Sequence, residues 1–160
     1  MGTTAFFRCP DGRPYCLVLV LWLAAAAGVF AQSNQVIDRL MDEKQASFGD
    51  AAYVILSAAG LVPEDATGED AAAAVAEHKL LQRVPSATEP VTLGQVCSLI
   101  VETQRISGGL FYALFPGPRY ATREIASLGL LKGYAHPNRV VSGEEVMWIL
   151  GAVLNSKGKV

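Results

Sequence analysis

Residues 71–104, AAAAVAEHKLLQRVPSATEPVTLGQVCSLIVETQ, lie without a gap over residues 121–154, ATREIASLGLLKGYAHPNRVVSGEEVMWILGAVL, when the chain is shifted by fifty positions. Identities fall at Ala71/Ala121, Ala76/Ala126, Leu80/Leu130, Leu81/Leu131, Val91/Val141 and Val96/Val146. Conservative pairs extend the match at Val75/Ile125, Thr92/Ser142, Gln95/Glu145, Leu99/Ile149 and Ile100/Leu150. These are the positions where a helix buries or caps itself. An internal repeat of this period implies stacked supersecondary units, each covering apolar surface that its neighbour cannot cover alone.

Helical spacing dominates both copies. Val146, Ile149, Leu150 and Val153 follow i, i+3, i+4, i+7, and Ser142 with Glu145 predicts a capping box at the start of that helix. Thr92 with Gln95 repeats the box, and Val96, Leu99, Ile100 and Thr103 repeat the stripe. A shorter helix is expected before each, over Asp70 to Leu81 and Tyr120 to Leu131. Between short and long helix lie about ten turn-forming residues, with Pro85 and Pro90 in one copy and Gly133, Pro137 and Asn138 in the other. A third, shortened unit is expected upstream. There Asp50 to Ala59 reads as an alanine-rich helix that Gly60 and Pro63 stop, and Thr67 to Asp70 offers a capped start for the next helix. Residues 32–47 carry Val36, Ile37, Leu40 and Met41 at helical spacing and predict a leading helix, while Asn155 to Val160 should fray. The fold class is therefore all-α, with two or three helix-loop-helix repeats packed into one domain over residues 48–160.

Between the copies sits a connector, residues 107–120, that holds Phe111, Tyr112, Phe115 and Tyr120. A short helix over 109–115 halted by Pro116-Gly117-Pro118 fits these residues. Its aromatics either plug the junction between repeats or form an exposed patch beside Arg119 and Arg123.

The first 31 residues read as an export signal. Arg8 and Arg13 precede an uncharged run from Tyr15 to Phe30, and Val29-Phe30-Ala31 offers small residues to a signal peptidase. The rival reading is an uncleaved anchor, since the run approaches the roughly 20 residues that span a bilayer. Lipidation at Cys16 fits poorly, because Arg13-Pro14-Tyr15 precedes it. Beyond the signal Cys97 is the one cysteine, so no internal disulfide can form there and stability must come from packing. Residues 32–104 hold eleven acids and four bases, whereas 105–160 hold three acids and seven bases. Opposite charges help the halves dock, or a basic C-terminal face meets an anionic partner. The net negative charge argues against a nucleic-acid binder.

The repeat also tests each candidate catalytic residue, because equivalent positions feel similar surroundings. His78 corresponds to Leu128, Cys97 to Met147 and His136 to Ser86. Each is thereby read as a structural or surface residue and not as a ligand or nucleophile. Glu144 and Glu145 fall in the first turn of a helix, where the free N–H groups favour negative charge. The acidic stretch Glu64, Asp65, Glu69, Asp70 departs from calcium-loop spacing, and Ser107-Gly108-Gly109 lacks the pattern of a phosphate loop. No catalytic residue, metal site or cofactor is expected.

Leu130-Leu131-Lys132-Gly133-Tyr134 is similar to the G-[LI]-x-x-G-Y turn of the S-layer homology repeat. Pro90-Val91-Thr92 and Val141-Ser142-Gly143-Glu144-Glu145 resemble the P-V-T-R-A-E helix start of the same family. The likeness covers residues 70–155 and implies an export-associated helical module that anchors to envelope polysaccharide. In that family the arginine after the threonine is a principal contact; Leu93 and Gly143 occupy the two places here. The expectation is an exported, non-enzymatic binding or scaffolding protein of the envelope, in the periplasm or at the cell surface. Its candidate patch is Phe111, Tyr112, Arg119, Tyr120, Arg123 and Tyr134, facing envelope polysaccharide or an envelope protein. The alternatives are an assembly subunit that buries the same patch, and, third, an envelope hydrolase.

Overall fold

In the computed structural model, which describes residues 36–106, 112 and 114–157, the protein is all-helical. Among the described residues the fold is carried by α1 over 36–42, α2 Phe48–Ala58, α3 Gly68–Glu77, α4 Leu93–Thr103, α5 Pro118–Ser127 and α6 Gly143–Lys157. Two isolated antiparallel bridges, Ser47 to Pro90 and Thr92 to Val140, are the only extended pairings among the described residues. No helix among them is long and apolar enough to cross a membrane. The residues assigned to a signal, 1–31, and those numbered 32–35 lie outside the described part.

The three long helices α2, α4 and α6 begin at equivalent places, and their starts are tied together by the backbone. Val91 N–H donates to Ala46 C=O at 2.8 Å, Ala46 N–H to Val141 C=O at 2.9 Å, and Val141 N–H to Val91 C=O at 3.2 Å, closing a ring of three. Two residues further on the pattern repeats: Phe48 N–H reaches Glu89 C=O, Leu93 N–H reaches Arg139 C=O, and Gly143 N–H reaches Glu43 C=O. N1 amides of a helix have no intrahelical acceptor, so each loop carbonyl satisfies a donor that would otherwise be buried and unpaired. The three short helices fill in around this ring. α3 packs chiefly on α2 and α5 on α4, while α2 touches both α4 and α6. α1 reaches the start of α6, where a methyl group placed on Gly143 would overlap the Leu40 carbonyl oxygen.

Of the six identical pairs of the repeat, three are buried in both copies, the leucine pairs 80/130 and 81/131 are half-buried, and at 76/126 the alanine is exposed in one copy and half-buried in the other. Conservative pairs join the core. Ala71 and Ala121, Val75 and Ile125, Val91 and Val141, Val96 and Val146, and Leu99 and Ile149 are all buried. Each large aliphatic side chain among them stabilises the fold by about 1.5–3 kcal/mol relative to an exposed position. Phe48, Leu93 and Gly143 occupy the first turns of the long helices and are buried as well. The positions where the S-layer homology motif places an arginine thus face the interior of this chain.

Several boundaries differ from the sequence reading. α3 and α5 stop at Glu77 and Ser127, four residues before Leu81 and Leu131. Lys79 and Gly129, fifty residues apart, take the left-handed conformation with φ 52° and 71° and end the helices. The amides of Leu80 and Leu130 then donate back to the carbonyls of Val75 and Ile125 at 3.1 and 3.2 Å. Leu80, Leu81, Leu130 and Leu131 still pack against the core, but from the loops that follow. α2 begins two residues before Asp50, capped by Ser47 Oγ, which accepts from Asp50 N–H at 3.3 Å. The leading helix gives way at residue 43 to an extended approach to that cap. α6 continues through Lys157, past the Asn155 where fraying was expected. The expected helix over 109–115 falls largely outside the described residues, although 112 and 114 are helical.

Capping follows the sequence except at α6. Thr67 and Asp70 form a reciprocal box, with Asp70 N–H donating to Thr67 Oγ1 at 3.2 Å and Thr67 N–H to Asp70 Oδ2 at 2.9 Å. Thr92 N–H donates to Gln95 Oε1 at 2.8 Å. Ser142 Oγ accepts from Glu145 N–H at 3.3 Å, yet the Glu145 carboxylate turns to Arg139. A charge-assisted, two-pronged bond to a guanidinium outcompetes a single bond to the cap amide.

Candidate functional site: a groove walled by Tyr134 and Trp148

A concavity lies where α1, the 132–139 loop and the first two turns of α6 meet. It encloses about 670 Å3, within the range of small-ligand sites, and its walls are mostly apolar. Met41 comes from α1; Lys132, Gly133, Tyr134 and Arg139 from the loop; Ser142, Glu144, Glu145, Met147 and Trp148 from α6 and its cap.

Local chemistry fixes this shape. Gly133 turns the chain at φ 84°, a conformation that a side chain would strain, and so lets the loop double back over α6. Arg139 locks the loop to the helix, its two terminal nitrogens donating to Glu145 Oε2 and Oε1 at 2.8 and 2.6 Å and its Nε to Tyr134 C=O at 3.2 Å. The bond to Glu145 raises the already high pKa of Arg139. One wall is therefore a rigid, internally neutralised ion pair. Lys132 Nζ stands 4.3 Å from the Trp148 ring centre, a cation–π arrangement worth about 0.5–1 kcal/mol at such a site. Tyr134 is 76% exposed and stacks on His136, with ring centres 5.9 Å apart and planes at 13°. The groove thus presents one free aromatic face, an indole covered by an ammonium, two flexible thioethers and the exposed carboxylate Glu144. It can stack flat rings and hydrogen-bond hydroxyl groups.

Of the six residues proposed from sequence, the five that are described do not share one recess. Tyr134 stands in the groove. Tyr112 is buried, its hydroxyl donating to Glu102 Oε1 at 2.5 Å, and burial followed by the Glu102 carboxylate pushes its pKa up. It serves the interior. Arg119 and Tyr120 line a separate recess of about 390 Å3 with Leu114, Phe115 and Pro116 to Pro118, where Phe115 and Tyr120 stack at 6.3 Å. Arg123 is exposed on α5, and Phe111 lies outside the described residues.

Lys132, Arg139, Met147 and Trp148 were not singled out from sequence, although the repeat carried a signal. Against the first copy they stand opposite Gln82, Glu89, Cys97 and Ser98, while Tyr134 stands opposite Val84. Most positions where the copies agree are buried or packed against the core, whereas the groove is lined where they differ in size and charge.

The residues weighed for catalysis are scattered. His78 is exposed at the C-cap of α3 and His136 is exposed on the loop. Cys97 is fully buried, and desolvation pushes its pKa up to about 12 despite a hydrogen bond with Thr122. Among the described residues no group of three or more His, Cys, Asp or Glu is placed to hold a metal ion. The chain matches none of the protein families, curated proteins or solved structures compared with it.

Proposed function

We propose that this protein is an exported, non-enzymatic binding module of the cell envelope, built on repeats related to the S-layer homology type, and that its groove takes a sugar unit of an envelope polysaccharide. The observation that carries the reading is the juxtaposition of the exposed Tyr134 ring with Trp148 and Lys132 across one open groove. Aromatic faces stack on the C–H faces of sugar rings, and the flanking Lys132, Glu144 and Ser142 offer partners for hydroxyl or acidic substituents. Recognition rests on these side chains and not on the motif arginine of the family, since Leu93 and Gly143 stand in its place and are buried.

Pull-down on purified cell-wall polymer tests the reading. Tyr134→Ala removes an exposed ring that makes no core contact, so the fold should persist and binding should fall about tenfold, ~1.4 kcal/mol. Unchanged binding by both Tyr134→Ala and Lys132→Ala would remove the groove from consideration. The second reading, a subunit of an envelope protein assembly, draws on the exposed Leu114 and Phe115. Light scattering at graded concentrations distinguishes it, since a Phe115→Ser change would then shift the assembly and leave polymer binding intact.

A further inference from the structure

A second surface lies away from the groove, at the turn that leads into α5. Leu114 and Phe115 are each 61% exposed, consecutive, and set on a turn stiffened by Pro116 and Pro118. Tyr120, half-buried against the core, stacks against Phe115, and with Leu114 the two line one recess, so Leu114 and Phe115 form the exposed edge of a single apolar ridge. Gln82 Nε2 donates to Pro116 C=O at 3.5 Å and holds the neighbouring loop alongside. Apolar residues grouped in this way mark a contact surface.

Among the residues lining the ridge's recess Arg119 is the sole charged one, and Arg123 follows one turn later on the same face of α5. Both guanidinium-bearing residues are exposed, and neither forms an ion pair with any described residue. Of the acids nearby, Glu102 accepts a hydrogen bond from Tyr112 in the adjoining recess, and Glu124 follows Arg123 on α5. The wider context agrees, with seven bases against three acids over 105–160.

We propose that this ridge is a membrane-contact face that inserts Leu114 and Phe115 shallowly into an anionic lipid surface while Arg119 and Arg123 bind its phosphate headgroups. Protruding aliphatic and aromatic side chains flanked by arginines are the composition of an interfacial anchor, and amphipathic rings such as Tyr120 settle at headgroup level. A cationic rim fits an anionic bilayer, whereas an apolar protein partner would have no use for two unpaired arginines. With two inserted side chains and two cations the contact is reversible and salt-sensitive.

Vesicle co-sedimentation of the chain, as recovered from the expressing cell, tests this with phosphatidylcholine vesicles and with vesicles containing about one third phosphatidylglycerol. Wild type and variants share the same N-terminus, so any membrane affinity of that segment cancels in the comparison. Expected is a preference of at least about tenfold for the anionic vesicles, abolished by raised salt. The preference should fall to near unity in Arg119→Ala/Arg123→Ala, and binding to both vesicle types should weaken in Phe115→Ser. Equal binding to the two vesicle types by wild type, or an anionic preference that survives both variants, overturns the proposal. Loss of self-association in Phe115→Ser, with vesicle binding unchanged, overturns it in favour of a protein interface. Circular dichroism of each variant confirms that the exposed substitutions leave the fold intact.

Discussion

At the scale of single residues, burial decides which suggestive side chains have chemistry available. Cys97 stands at an equivalent place to Met147 and is used as a small apolar filler between α4 and α5. With the pKa pushed up to about 12, the thiolate is scarce at neutral pH, and the sulfur is also out of reach of reagents. Cys97 should therefore remain unmodified when the native protein is treated with iodoacetamide at pH 8 and become fully alkylated in denaturant, as read by peptide mass spectrometry. Rapid native alkylation would show that the α4–α5 contact opens, or that the thiol is less buried than described. Tyr112 makes the same point. In sequence its ring reads either as a plug between the repeats or as part of an exposed patch; its hydroxyl finds the Glu102 carboxylate and the side chain goes inward.

At the scale of the element, helix ends are where this chain departs from its periodicity. Leu80 and Leu81 continue the apolar pattern of α3, so periodicity alone extends the helix through them. The left-handed turn at Lys79 ends it instead, as Gly129 ends α5. An L side chain in that conformation costs about 1 kcal/mol relative to glycine, partly offset by the greater freedom of glycine in the unfolded chain. Lys79→Gly should accordingly raise stability by about 0.5–1 kcal/mol and Gly129→Lys should lower it by a similar amount, measured as shifts in the urea midpoint. A loss of stability in Lys79→Gly would mean that the lysine side chain contributes more than its backbone costs. The caps at Thr67, Thr92 and Ser142 were legible because they depend on two residues three apart. The rearrangement of Glu145 was not, because its partner Arg139 competes for the carboxylate only once the loop is folded back.

At the scale of the whole molecule, the ring of backbone hydrogen bonds through Ala46, Val91 and Val141 makes the three helix starts interdependent. Linear repeat arrays touch only their neighbours and can lose end units separately. Here the first unit contacts the last, so no unit can detach without breaking two of the three ring bonds. Far-UV circular dichroism and Trp148 fluorescence, in a chain whose Trp22 is replaced by Phe, should therefore report one coincident urea transition. Ala46→Pro removes the donor to Val141 C=O from a buried site and should cost about 2–3 kcal/mol, moving both signals together. Separate transitions for the two signals would show that the units fold independently and that the ring is incidental.

The sequence by itself determined the helical class, the fifty-residue repeat, the positions of the core and most of the caps. These rest on spacings of three and four residues and on comparison of one copy with another, information that is local or internally duplicated. Tertiary structure decided the rest. The closure of the ring depends on amides and carbonyls, which every residue carries and no sequence pattern marks. The groove depends on Met41, Tyr134 and Trp148 meeting from three separate segments; Tyr134 is already a candidate in the sequence, whereas Met41 and Trp148 read in isolation as ordinary apolar residues. The inward turn of Tyr112 and the outward stance of Phe115, three residues apart in one connector, follow from where Glu102 stands and from the turn at Pro116. Composition alone cannot distinguish these two aromatics, because the partner that separates them comes from another helix.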